Sequence, residues 1–403
     1  MNAQTLPDAD WRRRPGLDGL LNALGAAEGG ARFVGGAVRD TLVGIAVQDI
    51  DVATPLTPQD VVARLKKAGI KAVPTGIDHG TITAVVEGSP VEVTTLRRDV
   101  STDGRRATVA YTDDWREDAA RRDFTINALY ADPLSGAIHD YFGGVDDLAA
   151  GRVRFIGSAT ARIAEDHLRI LRYFRFLARF GKGAPDAEAH AACVAGANSL
   201  MALSRERIAD ELLKLLALPD PTDAVRMMID GDILKPVIPE IDAAGVTRLA
   251  QLVVREAATG IARAPARRLA ALLPPDAAAG DRVGARLKLS NKMRKRIAAA
   301  LTPPPPGMSL HEQAYRLGLE TALDHALLAG APEIEAVALA DWRPPALPVR
   351  GATLIARGFT PGPDIAAALH AIEDEWVRRG FPQDGEIDAI VDQTVSKFQR
   401  ARQ

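Results

Sequence analysis

The sequence predicts an α+β protein: a small mixed-sheet head followed by an all-helical neck, body and tail. Two observations carry this. Strand and helix signals alternate over residues 31–145, and from about residue 150 onward strand signals vanish. There, Ala- and Leu-rich helical periodicity takes over, interrupted only by Pro and Gly. The expected division is an N-terminal helical segment (1–30), the head (31–150), a helical neck (151–218), and a body and tail (219–403).

Each element has its own local reason. DGLLNALGAA reads as a short helix ending in Gly-Gly, ARFVGG as a strand running into a turn, AVRDTLVG as a helix and DIDVAT as a strand. TPQDVVARLKKAGI reads as an amphipathic helix with Thr57 as N-cap, Pro58 at its first position and Gly69 at its end. TITAVVEG and SPVEVTTLR alternate apolar and polar residues as a strand pair turning at Gly88-Ser89. Asp114 with Glu117 makes a capping box for a helix through Arg122, and INALYADPLSGAIHDYF reads as a hairpin turning over Pro133–Gly136. In the helical part, breaks fall at GKGAP (181–185), PDP (219–221), PPDAAAG (274–280), PPPPG (303–307) and PPALPVRG (344–351).

Composition bounds the function class. Fifty basic against 52 acidic residues give a net charge of −2, which argues against a surface that coats nucleic acid throughout but leaves room for a local basic groove. Arginine is dense between Arg121 and Arg179, and RLKLSNKMRKRI (286–297) is a second basic cluster, either facing phosphates or forming a solvated helix face. The single cysteine, Cys193, excludes an internal disulfide and fits a reducing compartment. No apolar run approaches the ~20 residues of a membrane span, and the N-terminal stretch lacks a secretory pattern. A cytoplasmic protein is expected.

The chemistry concentrates in FVGGAVRDTLVGIAVQDIDVAT (33–54). Gly35 and Gly36 let the backbone approach a phosphate chain without a Cβ in the way. Asp49 and Asp51 stand two apart, which on a strand puts both carboxylates on one side. Two like charges so close need cations between them. They are therefore expected to ligate a two-ion Mg2+ site bridging phosphate oxygens. Glu92 in PVEVTT is a candidate third carboxylate from the neighbouring strand, its alternative being an ordinary exposed strand glutamate.

The second constellation is EDHLRILRYFRFLARFG (165–181). Asp166, Arg169, Arg172 and Arg175 recur every third residue, which on a helix spreads them over a broad half-face. The helix is apolar all round, so it is expected to be buried and its arginines to need partners. A carboxylate accepts from an exocyclic amino group and a guanidinium donates to a ring nitrogen. Asp166 with Arg169 can thus accept cytosine and adenine and mismatch uracil and guanine, without a template.

These segments, with RRDFTINALY (121–130) and DYFGGVDDLAAGRVRFIG (140–157), resemble in order and spacing the nucleotidyltransferases of the DNA polymerase beta superfamily. More narrowly, the chain resembles the branch holding bacterial class II tRNA CCA-adding enzymes and bacterial poly(A) polymerases. The resemblance covers roughly residues 31–215, and RLKLSN (286–291) and RGATLIARGFTPGPDIAAAL (350–369) continue it more loosely. It implies attack by an RNA 3′-hydroxyl on the α-phosphate of a nucleoside triphosphate, with release of pyrophosphate. It implies tRNA, ATP and CTP as partners, with no membrane and no stable protein partner. Asp49, Asp51 and Glu92 become catalytic candidates. Gly36, Arg39, Arg122, Asp166, Arg169, Arg172 and Arg175 become nucleotide-binding candidates. Arg39 and Arg122 map onto positions that contact the nucleotide, and Asp166 and Arg169 onto positions that read the base. Arg172 and Arg175 bind phosphates or hold the pocket. For Arg121 and Asp123, ion pairing with each other or with Asp40 is the alternative. The expected activity is CCA addition, the alternatives being poly(A) synthesis, partial addition of CC or A, or a non-catalytic RNA-binding protein.

Overall fold

The computed structural model describes residues 4–103 and 106–400, and all of their side chains except those of residues 78, 99–103 and 106–109. The chain divides into two compact units, Met1–Val237 and Ile238–Gln403. The expected boundaries at 150 and 218 both fall inside the first.

Among the described residues of the first unit there are nine strands. They are β1 (Arg32–Val34), β2 (Asp51–Thr54), β3 (Lys71–Gly76), β4 (Thr81–Val86), β5 (Ser89–Thr95), β6 (Arg97–Asp103), β7 (Arg106–Tyr111), β8 (Leu129–Ala131) and β9 (Ile138–Asp140). Seven form one sheet in the order β3-β4-β5-β2-β1-β8-β9, and β6 pairs with β7 in a separate hairpin. Only β2 and β5 run parallel; every other pairing in the large sheet is antiparallel. This is the mixed sheet that the alternating signals of the head predict.

Local sequence accounts for most element ends. Along β4 and β5 burial alternates, as expected of strands with one face on a core. Their turn is Glu87–Gly88, both at positive φ (46° and 78°), one residue earlier than the expected Gly88-Ser89. A two-residue hairpin loop with positive φ at both positions matches strand twist, and the ladder pairs Val86 with Ser89. Helix α1 (Leu17–Ala23) precedes β1, α2 (Gly36–Leu42) follows it, and α3 (Pro58–Lys67) follows β2. Thr57 caps α3 by accepting from the Asp60 N–H, and Pro58 opens it. Helix α4 (Trp115–Ala120) ends earlier than the expected Arg122. Asp114 caps it, but the Glu117 carboxylate accepts from the Thr112 hydroxyl and does not close the capping box.

After β9 the named elements are all helical. Those of the first unit are α5 (Gly144–Ala150), α6 (Ala159–Glu165), α7 (Leu168–Phe180), α8 (Ala187–Gly196), α9 (Arg205–Leu216) and α10 (Thr222–Asp230). Helix α7 buries Ile170, Leu171, Tyr173, Phe174 and Phe176 and packs on α9 and α10. An aromatic cluster joins it to the head. The Phe124 ring lies 4.8 Å from Phe155 and 5.3 Å from Phe176, and Phe155 stacks on Tyr173 at 5.8 Å. Phe124 directly follows Arg122 and Asp123, so this cluster sets that segment against α7.

The second unit is built of ten helices between Ala243 and Arg400, and the proline-rich breaks at 274, 303 and 344 all fall between helices. One apolar core centres on Trp376, Ile372, Leu354 and Ile390. Elsewhere a buried ionic cluster joins four helices: Glu256 accepts from Arg267 and Arg268, and Asp324 from Arg267 and Arg296. In the basic stretch 286–297 the arginines are paired internally: Arg286 with Glu240, Arg294 with Asp281, and Arg296 with Glu320 and Asp324. No helix among the described residues is long and apolar enough to cross a membrane.

Candidate active site

A cleft of about 480 Å3 opens in the first unit, lined by six arginines and three aspartates together with Gly35, Gly36, Asn127 and Phe176. Seven of the ten candidate residues line it: Gly36, Arg39, Asp51, Arg122, Asp166, Arg169 and Arg172. Asp49, Glu92 and Arg175 are not among the lining residues.

The carboxylate side rests on β2. The strand begins at Asp51, and Asp49 lies exposed in the loop before it, so strand alternation does not govern both residues as the spacing suggested. Glu92 on parallel β5 stands in register with Asp51. Asp51 is the strained member: burial first, and then the charges of Glu92 and Asp49, push its carboxyl up to about 6 despite Arg122 and Arg39 nearby. None of Asp49, Asp51 and Glu92 has a side-chain hydrogen bond or ion pair among the described residues, whereas nearly every arginine around them has one. A hard cation suits such a group: oxygen donors only, mutually repelling, with one of them drawn out of water. No three His, Cys, Asp or Glu side chains among the described residues are grouped to enclose a metal by themselves.

Opposite lies the Gly35–Gly36 turn. Gly35 has φ +66°, and a Cβ there would meet the Arg122 Nη1 at 3.4 Å and the Asn127 carbonyl at 3.5 Å. Those are ordinary contact distances, so it is the left-handed backbone rather than lack of space that disfavours a side chain there. The Gly35 N–H is already donated to the Leu129 carbonyl, so the groups the turn can offer a ligand start at Gly36.

The arginines are held by acids, though not always by those expected. Arg39 is buried and bonds Asp40 and Asn127; Asp40 in turn takes Arg179 of α7 at 2.9 Å. Asn127 donates to Asp123 (3.0 Å), and Asp123 accepts both Nε and Nη2 of Arg172, at 2.7 and 2.6 Å. Burial works to raise the Asp123 carboxyl, but Arg172 and Asn127 outweigh it and hold it low. Arg121 and Arg122 both pair with Asp118, so neither Arg121 nor Asp123 uses the other or Asp40. Arg175 turns away from the cleft to Glu211 of α9 at 2.6 Å, with its guanidinium 4.4 Å from the Phe176 ring centre.

The Asp166–Arg169 pair is built differently from the helical half-face that the spacing suggested. Helix α6 stops at Glu165, and Asp166 takes extended backbone (φ −151°, ψ 105°) before α7 begins at Leu168. One Asp166 oxygen accepts from the Leu168 N–H at 3.1 Å, and the other from Arg207 of α9 at 2.8 Å. Arg169 is fastened to Glu165 and to the carbonyls of Arg162 and Arg121. The residues that sequence reasoning missed are thus the second partners: Asp118, Asn127, Tyr130, Arg207 and Glu211. A signal existed for two of them. Arginines on an all-apolar helix demand acids from a neighbour, and RERIADELLK (205–214) is a helix that offers Glu211 and Arg207 to α7.

Residues 31–154 match the family described as the poly A polymerase head domain, and residues 184–244 that described as the probable RNA and SrmB-binding site of polymerase A. The human mitochondrial CCA tRNA nucleotidyltransferase 1 is 34% identical over 370 residues, spanning 88% of this chain and 84% of that protein. The chain belongs to the CCA tRNA nucleotidyltransferase family. The CCA-adding enzyme of Latilactobacillus sakei is 30% identical over 389 residues, 91% of this chain and 94% of that enzyme. The solved CCA-adding enzyme of Bacillus stearothermophilus, in complex with CTP, superposes with a TM-score of 0.73 at 28% identity, covering 96% of this chain and 100% of that one. Members of this family therefore share the whole head-to-tail architecture, and not the head alone.

Proposed function

We propose that the protein adds C, C and A to the 3′ end of tRNA from CTP and ATP, releasing pyrophosphate, with the arginine-lined cleft as its active site. One observation carries the reading. Asp51, without a side-chain partner among the described residues, lines one cleft together with Asp166 and Arg169, in a chain related over nearly its whole length to CCA-adding enzymes.

Asp49 and Asp51, with Glu92 beside Asp51, would hold two Mg2+ ions; such ions lower the pKa of an attacking hydroxyl and stabilise a leaving oxygen. The remaining roles belong to the chain itself. The Gly35–Gly36 turn lets a triphosphate approach the backbone. Arg39 and Arg122 carry permanent positive charge toward it. Asp166 accepts from the exocyclic amino group of cytosine or adenine, and Arg169 donates to the adjacent ring nitrogen. Uracil and guanine present a carbonyl and a ring N–H there, so both contacts fail. Arg172 and Arg175, bound to Asp123 and Glu211, hold the reading wall in place. Residues 219–403 take the tRNA, a reading supported by the RNA-binding family match that reaches residue 244.

The test is incubation with tRNA ending at its discriminator base, CTP, ATP and Mg2+, followed by sequencing of product ends. Ends of CCA and nothing longer are expected. Long A tails without C would establish poly(A) synthesis instead.

A further inference from the structure

Arg122 is held in a closed ring of hydrogen bonds. Its Nε donates to the Tyr130 hydroxyl at 3.2 Å, that hydroxyl donates to Asp118 Oδ2 at 2.6 Å, and the same oxygen accepts from Arg122 Nη2 at 3.3 Å. Tyr130 is fully buried in β8 and Asp118 is 1% exposed at the end of α4. Burial pushes the Tyr130 phenol up, so the hydroxyl keeps its proton and bridges as a donor. Burial acts against the Arg122 charge, but Tyr130 and Asp118 outweigh it and hold the guanidinium charged. Two of its three nitrogens are thereby engaged within the ring, Nε with its one N–H and Nη2 with one of its two. The third, Nη1, is the nitrogen that lies against the Gly35–Gly36 turn, 3.4 Å from where a Gly35 Cβ would sit. Strand pairing fixes the distance, since Tyr130 stands opposite Val34, directly before that turn.

We propose that Tyr130, with Asp118, is a positioning residue that commits Nε and Nη2 of Arg122 to the protein and aims Nη1 at the triphosphate of the incoming nucleotide. Arg121 does not share this device: its Nε and Nη2 both go to Asp118 Oδ1, and it makes no bond to Tyr130. The inference rests on the proposed role of Arg122 in the nucleotide site.

The experiment compares Tyr130→Phe and Arg122→Lys in the full-length enzyme, reading kcat and KM for CTP and ATP and inhibition by inorganic tripolyphosphate. That probe has neither base nor sugar and so reports the phosphate contact alone. Phe keeps the ring and its packing and removes only the bridging hydroxyl. Tyr130→Phe is expected to raise KM for CTP and ATP equally, by about tenfold, the scale of one hydrogen bond to a charged group. The tripolyphosphate inhibition constant should rise in parallel, with kcat changed far less and thermal unfolding close to wild type. Arg122→Lys should give the same pattern, enlarged. Wild-type constants in Tyr130→Phe alongside weakened binding in Arg122→Lys would overturn the positioning role. Unchanged constants in both variants would overturn the nucleotide role of Arg122 itself. A loss in Tyr130→Phe confined to Tm and kcat would mark the ring as merely structural.

Discussion

The two walls of the cleft are finished to different degrees. The arginine wall is closed within the protein: at the cleft Arg172 pairs with Asp123 and Asp166 with Arg207, and on the same helix as Arg172, outside the lining, Arg175 pairs with Glu211 and Arg179 with Asp40. The carboxylate side is open: Asp51 lines the cleft, the charges of Glu92 and Asp49 act on it, and none of the three has an ion-pair partner among the described residues. A buried ion pair broken on one side leaves an uncompensated charge, whereas a like-charge group relieved of one member gains. The two walls should therefore respond to substitution with opposite signs in stability, and with different signatures in activity.

The largest effect is expected on the open wall. Asp49→Ala or Asp51→Ala should lower incorporation of C and A alike, on the order of 10³-fold or more, as loss of a transition-state electrostatic element does. tRNA binding should stay nearly intact. Single-turnover incorporation beside a gel-shift titration checks both, and near wild-type turnover in either variant would break the metal-ligand assignment. In the same experiment Asp51→Asn should raise Tm, since it removes the crowded charge.

On the closed wall, Glu211→Ala should lower stability by up to about 3 kcal/mol, toward the lower end for a broken buried pair because Arg172 keeps some contact with water. Denaturant unfolding measures it. A Glu211 variant as stable as wild type would erase the contrast between the walls.

Asp166→Ala sharpens the comparison within the closed wall. It should reduce discrimination of C over U by ~1–3 kcal/mol, the scale of a buried polar group left unmatched. Steady-state kcat/KM for the four triphosphates decides it, and an unchanged C-over-U ratio would move base reading elsewhere. Because Arg207 and the Leu168 N–H would lose their acceptor too, Asp166→Asn serves as the companion variant.

The smallest expected effect is on pH dependence. The Asp51 carboxyl lies at about 6 in the folded protein against an ordinary 3.8. Between those values the folded state binds more protons than the unfolded chain, so this residue's contribution to stability is present below pH 3.8 and is lost as pH rises through about 6. In metal-free protein, the stability of wild type relative to Asp51→Asn should fall over that window. Mg2+ requires the ionised form, so its apparent affinity should weaken by about tenfold for each pH unit below about 6. A flat stability difference across the window would contradict the buried, crowded setting of Asp51.

Much of the head was legible locally. The cap at Thr57 and Pro58, the alternation along β4 and β5, and the hairpin between β8 and β9 each follow from residues within a few positions of one another. The β6–β7 hairpin was not read, because RRDVSTD carries little of the apolar alternation that marks a strand. Asp166 misled for a related reason. A threefold recurrence of charged residues looks helical whether or not the chain is continuous, and here it crosses a break between α6 and α7.

By itself, then, the sequence determined the chemistry on offer: a Gly-Gly turn, a pair of carboxylates two residues apart, and an arginine-bearing apolar helix. Side-chain type and local backbone preference are properties of short stretches, and short stretches suffice to read them. Which acid holds which arginine was decided only by the tertiary structure. Asp118, Asp123, Glu165 and Glu211 are all carboxylates within reach of several cations, and sequence separation does not rank them. Packing of Phe124 against α7 and of α7 against α9 brings Asp123 and Glu211 to Arg172 and Arg175. Burial is likewise a property of the assembled fold, and burial is what makes one of three similar carboxylates the strained one.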